Sequence, residues 1–336
     1  MTLTLFTLSC LALIAFTFVT GFHDAPNATA IPVKTRALTP KIALRTSALF
    51  NTIGMATTGI MLGSVTTHWL TVPPNQTGLG LIFTALITAI SWSIITWWFR
   101  IPSSSTHALI GGLAGAAWAA QTTGLGTFNP FSEPLATFIV VPLILAPILL
   151  FLVAWAAVFP FYGLFRRSYP ATVNRFSRSV LSLANSLISL VHGIQTGQRV
   201  IVIYAVLLLA AGLEAGPATY IVSAVFLALV LGLGTLRGSS RIGYTFAHQM
   251  VKVDPFRGAV AQSSTALAMV LLQFFLNTPV SSSHLAASAV LGSGVNQRFA
   301  AVRYKIVLRI ILTWLITMPI CFVLSATLFL ALSPLL

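Results

Sequence analysis

Charged residues, and acids in particular, are scarce in this sequence. Only 7% of its 336 residues are charged, whereas a soluble domain carries about 25%. The acids are Asp24, Glu133, Glu214 and Asp254, against 18 Lys and Arg, so the formal net charge is +14. This composition excludes an ordinary soluble domain. In a soluble protein, the excess of basic residues would suggest nucleic-acid binding. Because this chain is not an ordinary soluble domain, we expect no nucleic-acid partner.

Cysteines and catalytic groupings are also scarce. Cys10 and Cys321 both lie in apolar runs, where they are typical of small core residues. They predict neither a disulfide nor a metal framework. A single acid at Asp24 with scattered histidines forms no recognisable catalytic set, so we expect neither an enzyme nor a cofactor. Residues 1–20 lack a basic start, which favours a first membrane helix over a cleavable signal peptide.

Long apolar runs take up much of the chain. The sequence is 57% hydrophobic, with a mean hydropathy of +0.95. Residues 80–99, 134–165 and 310–336 contain no charged side chain. A helix needs roughly 20 apolar residues to cross a bilayer, so the sequence predicts an all-α polytopic membrane protein with about ten to twelve helical segments, some too short to cross.

A hydroxyl-rich motif occurs twice. Residues 102–107 read Pro-Ser-Ser-Ser-Thr-His, and residues 279–284 read Pro-Val-Ser-Ser-Ser-His, 177 residues later. Proline favours the first turn of a helix, and Ser or Thr caps its exposed amides. A helix N-terminus also attracts anions, because it carries unpaired N–H groups and about half a positive charge. We expect the hydroxyl side chains of the two motifs to hold an oxyanion, namely Ser104, Ser105, Thr106, Ser281, Ser282 and Ser283.

The alternative is that these serines only cap membrane helices and bond back to carbonyls. The duplication favours a functional role. Small residues follow each motif and predict closely packed helices, namely Gly111, Gly112 and Gly115 in one copy and Gly292 and Gly294 in the other. His107 and His284 end the motifs. They are either interhelical hydrogen bonders or groups for gating and proton coupling.

A second motif, residues 21–30, contains an acid beside an apolar run. Asp24 and Asn27 lie three residues apart, which puts both side chains on one helix face. An ionisable group at membrane depth indicates function. Gly21 and Pro26 predict a broken helix, whose freed carbonyls could join the Asp24 carboxylate and the Asn27 amide oxygen in holding Na⁺. Otherwise the carboxylate takes a proton. The alternative is an Asp–Asn turn at the membrane interface.

The basic residues predict the topology. They concentrate in residues 34–45, 166–178, 237–257 and 298–309, whereas residues 68–78, 121–133 and 214–219 contain no Lys or Arg. The positive-inside rule assigns the first set to the cytoplasm and the second to the outside. We therefore expect a multi-pass protein of the cell (inner) membrane with both termini extracytoplasmic.

The two halves align a second time. Residues 21–27 match residues 193–199, an offset of 172. The boundaries are then a first repeat at 1–165, a basic cytoplasmic connecting loop at 166–178 and a second repeat at 179–336. When the numbering of the first half is shifted by 172 residues, the basic segment 34–45 aligns near Glu214, which is predicted to be external. The external segment 68–78 aligns with the basic segment 237–257. Opposite orientation of the halves is the signature of inverted repeats with a site at the midplane. In the second half, Arg199 either lines the anion path or marks the membrane edge.

These motifs resemble those of the inorganic phosphate transporter family, including its bacterial phosphate and sulfate permeases. Residues 21–28 resemble its Gly-x-Asn/His-Asp-x-x-Asn-Ala motif, and residues 102–107 and 279–284 resemble its Pro-Val-Ser-Thr-Thr-His motif. Its second-repeat motif, His-Gly-x-Asn-Asp-x-Gln-Lys, is matched by His192, Gly193, Gln198 and the basic Arg199. Residues 255–262 resemble the segment before the second serine motif.

The resemblance implies inverted repeats with re-entrant hairpins, phosphate held between the serine motifs, and Na⁺ or H⁺ as the driving ion. It also implies that phosphate could travel as a neutral metal complex. The ion-coupling region is then formed by His23, Asp24, Asn27, Gln195, Thr196 and Gln198. A homodimer and a monomer both remain open.

The chain departs from the family at two positions. Gln195 and Thr196 stand where the family has Asn-Asp, and Gln262 stands where an acid is frequent. The loss of carboxylates favours a proton taken by Asp24, assisted by His23, over two symmetric Na⁺ sites. We therefore predict a secondary phosphate transporter working by alternating access. The alternatives are a sulfate permease of the same fold, an uncoupled anion channel and a membrane scaffold without flux.

Overall fold

All regular structure in the described part of the chain is helical. The computed structural model describes residues 2–59, 72–126, 141–238, 240–275, 280–297 and 302–336. The α-helices in these segments are α1 (Thr2–Asp24), α2 (Pro26–Lys34), α3 (Pro40–Thr58), α4 (Gln76–Trp98), α5 (Ser105–Thr122), α6 (Val141–Phe165), α7 (Pro170–Ala210), α8 (Pro217–Leu236), α9 (Ser240–Tyr244), α10 (Pro255–Phe274), α11 (Ser282–Gly294) and α12 (Tyr304–Leu332). A π-helical turn, Thr245–Gln249, follows α9.

Within the described residues, six helical stretches are long and apolar enough to cross a membrane. They are Thr2–Lys34, which joins α1 and α2, then Gln76–Trp98, Ile144–Phe165, Pro170–Ala210, Pro217–Leu236 and Tyr304–Leu335. α11 has only 13 residues, about 20 Å of helix, which is shorter than the roughly 30 Å hydrocarbon core. The prediction of an all-α polytopic membrane protein is therefore confirmed, with short helices among the spanning ones.

The predicted broken helix is present. α1 ends at Asp24 and α2 starts at Pro26, with Ala25 between them. Pro26 has no amide hydrogen, so it cannot bond the carbonyl one turn back, and the helix is interrupted. The break holds Asp24 and Asn27 inside the protein, where they are 5% and 3% exposed. Asn27 lies in a buried helix, so the interpretation as an interfacial Asp–Asn turn is wrong.

The connecting loop is shorter than expected. α7 is one helix of 41 residues that begins at Pro170, so residues 170–178 of the predicted loop 166–178 are helical. Proline fits the first helical position, and no Gly or Pro follows within residues 171–178 to stop the helix. Only residues 166–169 connect α6 to α7.

Glycines bring helices of the two halves into close contact. A Cβ on Gly115 of α5 would lie 2.0 Å from the carbonyl oxygen of Phe322 on α12. A Cβ on Gly292 of α11 would lie 2.2 Å from the carbonyl oxygen of Phe151 on α6. Gly115 and Gly292 are 177 residues apart, the offset of the serine motifs. The small residues after each motif thus allow equivalent backbone approaches.

A second pair of helix contacts repeats in the same way. A Cβ on Gly21 of α1 would lie 2.3 Å from the carbonyl oxygen of Leu231 on α8. A Cβ on Gly193 of α7 would lie 2.3 Å from the carbonyl oxygen of Asn51 on α3. Each of these contacts joins a helix from the first half to one from the second. The halves are therefore interleaved rather than side by side.

The four basic segments meet at one end of the molecule. Lys34 Nζ lies 2.9 Å from His248 Nδ1. Arg178 Nε donates to the carbonyl of Thr35 over 3.1 Å, and the Arg303 amide donates to the carbonyl of Met250 over 3.1 Å. The segments predicted to be cytoplasmic thus share one end.

The termini lie at the other end. Gln76 Nε2 donates to Thr2 Oγ1 over 2.6 Å, and a Cβ on Gly80 would lie 2.8 Å from a side-chain carbon of Leu336. Thr2 is separated from the basic end by the 33-residue stretch of α1 and α2. Which end faces the cytoplasm stays a prediction.

Candidate functional site

The two serine motifs form the N-termini of α5 and α11. Ser104 caps α5 by accepting from the backbone amide of His107 over 3.1 Å. Ser281 caps α11 by accepting from the amide of His284 over 3.3 Å. The capping interpretation therefore applies to Ser104 and Ser281, the first of the three predicted hydroxyl residues in each motif. The other predicted hydroxyls face different partners, and Pro279 lies outside the described residues.

The two helix tips meet inside the protein. The rings of His107 and His284 have their centroids 4.5 Å apart, and His284 stacks on Trp314 at 4.1 Å. All six predicted hydroxyl residues are buried, with exposed fractions between 1% and 6%. The structure therefore brings the two halves of the predicted anion site together.

α5 and α11 extend from this meeting point in opposite directions. α5 ends toward the termini, where a Cβ on Gly126 would lie 3.6 Å from Pro73. α11 ends toward the basic segments, where the Gln297 amide donates to the carbonyl of Lys252. Each tip thus points toward the middle of the molecule from a different end.

Asp24 lies where the two tips come together. Ser105 of α5 donates to Asp24 Oδ2 over 2.9 Å, and Ser283 of α11 donates to Oδ1 over 3.3 Å. His23 Nδ1 lies 2.9 Å from Oδ1, and His192 Nε2 lies 3.5 Å from Oδ2. Ser105, Ser283 and His23 make hydrogen bonds to the carboxylate, whereas His192 approaches it only at ion-pair distance. One acid thus links both serine motifs.

Asn27 contacts the second tip. Its Nδ2 donates to Ser282 Oγ over 3.1 Å and to Ser283 Oγ over 3.0 Å. The backbone carbonyl of Asn27 accepts a hydrogen bond from Gln262 Nε2 over 3.2 Å. His23, Asp24 and Asn27 of the predicted ion-coupling region therefore share one hydrogen-bond network with Ser105, Ser282 and Ser283 of the predicted anion site.

Arg199 reaches the first tip from α7. Its guanidinium donates to Thr106 Oγ1 and, over 3.2 Å, to Thr196 Oγ1. The side chain is buried, with 9% exposed, and its Nε has no hydrogen-bond partner within the described residues. This position fits a residue of the anion path rather than a marker of the membrane edge. A buried cation in a membrane protein is costly and indicates function.

The predicted amides of the second repeat lie elsewhere. Gln198 Oε1 accepts from Gln273 Nε2 over 3.0 Å, and no described hydrogen bond joins it to the Asp24 network. Thr196, which aligns with Asp24, binds Arg199 instead. Gln195 is buried at 4% exposed. The coupling region of the first repeat thus has no acidic counterpart in the second.

Several buried polar atoms of this region lack a partner among the described residues. They are His107 Nδ1, Gln195 Nε2, Arg199 Nε and Gln262 Oε1. Buried polar groups are ordinarily hydrogen-bonded, because an unpaired one costs about 1–3 kcal/mol. Three of these residues lie at the helix tips or beside them: His107 lies in the first turn of α5, Arg199 donates to Thr106, and Gln262 donates to the backbone carbonyl of Asn27. Unpaired polar atoms around two helix tips are typical of a site that receives a polar ligand.

His192 matches the second-repeat motif of the family, but no role follows for it from the sequence. Besides approaching Asp24, its Nδ1 lies 3.0 Å from Asn51 Oδ1, and Asn51 Nδ2 donates to Thr235 Oγ1 over 3.0 Å. This chain of contacts connects α7, α3 and α8 to the acid. The available signal was that His192 directly precedes the aligned glycine Gly193.

A similar chain supports His23. Its Nε2 lies 3.2 Å from Thr96 Oγ1, which is 2.8 Å from Ser103 Oγ. Ser103 belongs to the first serine motif, whereas Thr96 lies within an apolar run and has no sequence pattern that would identify it. The two chains hold the histidines on either side of Asp24.

Comparison with known proteins agrees with this architecture. Residues 20–325 match the model of the phosphate transporter family, PHO4. A probable low-affinity inorganic phosphate transporter of Bacillus subtilis is 33% identical over 316 residues, covering 93% of this chain and 92% of the relative. A protein of the same description from Rhizobium meliloti is 34% identical, covering 93% and 91%.

The fold is also that of a solved structure, described as the sodium-dependent phosphate transporter. It superposes with a TM-score of 0.66 over 99% of this chain and 100% of that one, at 20% identity. The resemblance drawn from the motifs is confirmed, as is the expectation of a transporter rather than an enzyme. This chain is a multi-pass membrane protein that belongs to the phosphate transporter family.

Proposed function

We propose that this protein imports inorganic phosphate across the cell membrane as a secondary active transporter, driven by protons and working by alternating access. One observation carries the proposal: Asp24 accepts a hydrogen bond from a hydroxyl of each helix tip, Ser105 on α5 and Ser283 on α11. The family match and the names of the relatives support phosphate as the substrate.

The anion site is the space between the two tips. The N-termini of α5 and α11 supply backbone amides and partial positive charge, and the motif hydroxyls supply further donors. Arg199 brings a full positive charge to the tip of α5 through Thr106. Charged donors bind oxyanions more strongly than neutral ones. Together these groups form a cradle with donors on two sides of a tetrahedral anion.

Coupling follows from competition for the same hydroxyls. An ionised Asp24 accepts hydrogen bonds from the hydroxyls of Ser105 and Ser283. It therefore competes with an incoming anion for these two donors and also repels the anion by its charge. A proton on Asp24 removes that charge and releases the two hydroxyls to the anion. Because each ligand favours the binding of the other, proton and phosphate cross together.

The surroundings of Asp24 favour a proton over Na⁺. Two of its four neighbours are the imidazole nitrogens of His23 and His192, whereas a hard cation prefers oxygen ligands. At the aligned position, the hydroxyl of Thr196 accepts from the Arg199 guanidinium, and this cation would repel Na⁺. The similar fold of a protein described as sodium-dependent makes Na⁺ the alternative to be tested.

Alternating access is supported by the opposed tips. α5 and α11 extend from the site toward opposite ends of the molecule, as expected for inverted repeats with a midplane site. If the basic end is cytoplasmic, both termini are extracytoplasmic. Movement of one tip away from Asp24 would open the site to one side while the other stays closed.

The test is uptake of radiolabelled phosphate into proteoliposomes that contain the purified protein. We expect an inward proton gradient to drive accumulation without Na⁺, and arsenate to compete better than sulfate. Varying Mg²⁺ tests whether a metal–phosphate complex is carried. Accumulation driven only by a Na⁺ gradient would replace proton coupling, and stronger competition by sulfate would indicate a sulfate permease. Flux that no gradient drives uphill would indicate a channel, and no flux would indicate a scaffold.

A further inference from the structure

α6 presents an apolar face that no helix in the described part of the chain fully covers. Ala146, Leu149, Val153, Ala157 and Phe161 follow each other at spacings of three or four residues, so they lie on one side of the helix. They line an apolar cavity of about 690 Å³, which α7 and α10 close from the other side. The cavity runs along the helix rather than into the Asp24 network.

The basic end of this cavity has a different chemistry. Phe165 and Phe256 line both the apolar cavity and a second cavity of about 310 Å³. The second cavity is lined by Arg166, Arg257 and Asn174. Arg257 pairs with Asp254, yet its Nε is buried and has no hydrogen-bond partner within the described residues.

The basic surface continues beyond the second cavity. Asn174 also lines a third cavity of about 500 Å³, together with Arg175 and Arg178. Arginines therefore outnumber the single acid around this end. An apolar groove thus passes a pair of aromatic rings and opens among guanidinium groups, which matches the order of acyl chain, interface and anionic head group in a phospholipid.

We propose that the groove formed by α6, α7 and α10 binds a phospholipid with an anionic head group. Its acyl chain lies along α6, and its phosphate lies between Arg166 and Arg257. The observation that selects this occupant is charge complementarity. A second copy related by a two-fold axis along the membrane normal would present the same patch at the same depth, and its arginines would face these arginines with like charge.

The experiment uses the full-length protein in detergent, depleted of lipid and then mixed with palmitoyl-oleoyl phosphatidylglycerol or phosphatidylcholine. Native mass spectrometry counts the bound lipid. The two lipids share their acyl chains and differ in head-group charge. We expect phosphatidylglycerol to bind about tenfold more tightly, because each basic residue near an anionic head group contributes measurably. Excess inorganic phosphate should not displace it, because the acyl chain supplies part of the binding.

Two sets of variants separate the parts of the site. Arg166→Gln with Arg257→Gln should remove the preference for phosphatidylglycerol, while Arg45→Gln with Arg309→Gln, which removes two exposed arginines elsewhere, should preserve it. Ala157→Trp should fill the groove and reduce binding of both lipids. Equal binding of the two lipids by the native protein, or an unchanged preference in Arg166→Gln/Arg257→Gln, would overturn the proposal. It would also fail if Ala157→Trp turned a dimer into a monomer, since the face would then bind a second copy.

Discussion

Arg199 donates to Thr106 as Asn27 donates to Ser283, and each of these two contacts joins one half of the protein to the other. The 172-residue offset carries Asn27 onto Arg199, and the 177-residue offset of the serine motifs carries Thr106 onto Ser283. Arg199 and Asn27 therefore donate to equivalent hydroxyls, Arg199 to Thr106 on α5 and Asn27 to Ser283 on α11. These two contacts are equivalent by the sequence offsets, but one uses a neutral amide and the other a cation, so the side of the predicted site that faces α5 is charged.

We expect Asp24→Asn to abolish accumulation of phosphate. Asn has nearly the same shape but takes no proton in the physiological range, so uptake could no longer follow a proton gradient. The measurement is steady-state phosphate content of proteoliposomes with an imposed pH gradient. Glu214→Gln, which changes an exposed acid outside the network, should retain accumulation. Normal accumulation by Asp24→Asn would remove this residue from the coupling mechanism.

Removing the two shared hydroxyls should weaken phosphate binding. Ser105→Ala with Ser283→Ala deletes one donor from each tip. Since a hydrogen bond to a charged group contributes about 1.5–3 kcal/mol, we expect the KM for phosphate to rise at least about tenfold. Initial uptake rates over a range of phosphate concentrations measure this. Ser293→Ala is the matched control, because its hydroxyl donates to Val290 within α11. An unchanged KM in the double variant would contradict the cradle.

Arg199 should matter through both its charge and its shape. Arg199→Gln removes the buried cation beside Thr106, so we expect the KM for phosphate to rise about tenfold or more. Arg199→Lys keeps the charge but loses the planar guanidinium. Its KM should lie between that of the native protein and that of Arg199→Gln. Arg237→Gln, at an exposed arginine, should behave as the native protein. If Arg199→Gln left the KM unchanged, the guanidinium would have no part in anion binding.

The close approach of α5 to α12 should depend on Gly115. Its replacement by Ala would place a carbon 2.0 Å from the Phe322 carbonyl oxygen, and such overpacking costs about 1–3 kcal/mol. We expect a lower melting temperature for the detergent-solubilised protein. Gly163→Ala, in open space on α6, should leave it unchanged or slightly higher. Equal melting temperatures for both variants would mean that α5 and α12 separate without cost.

Local patterns predicted much of the site. The Pro and Ser spacing identified both capped helix starts, because capping depends on neighbours within one turn. Pro26 predicted the break beside Asp24, because a missing amide acts on its own helix. The extent of the connecting loop was overestimated. The charged residues at 166–178 predict a loop, but the helix begins at Pro170 because no Gly or Pro stops it within residues 171–178.

Composition and short motifs were enough to predict that the chain enters the membrane, that two helix tips carry hydroxyls and that a single acid accompanies them. Those properties depend on residues close together in the chain. The packing of the helices was needed to show that Ser105 and Ser283 share Asp24, that Arg199 turns inward and that His192 approaches the acid. These contacts join residues far apart in sequence, and they require interleaved helices whose close packing depends on backbone approaches at a few glycines.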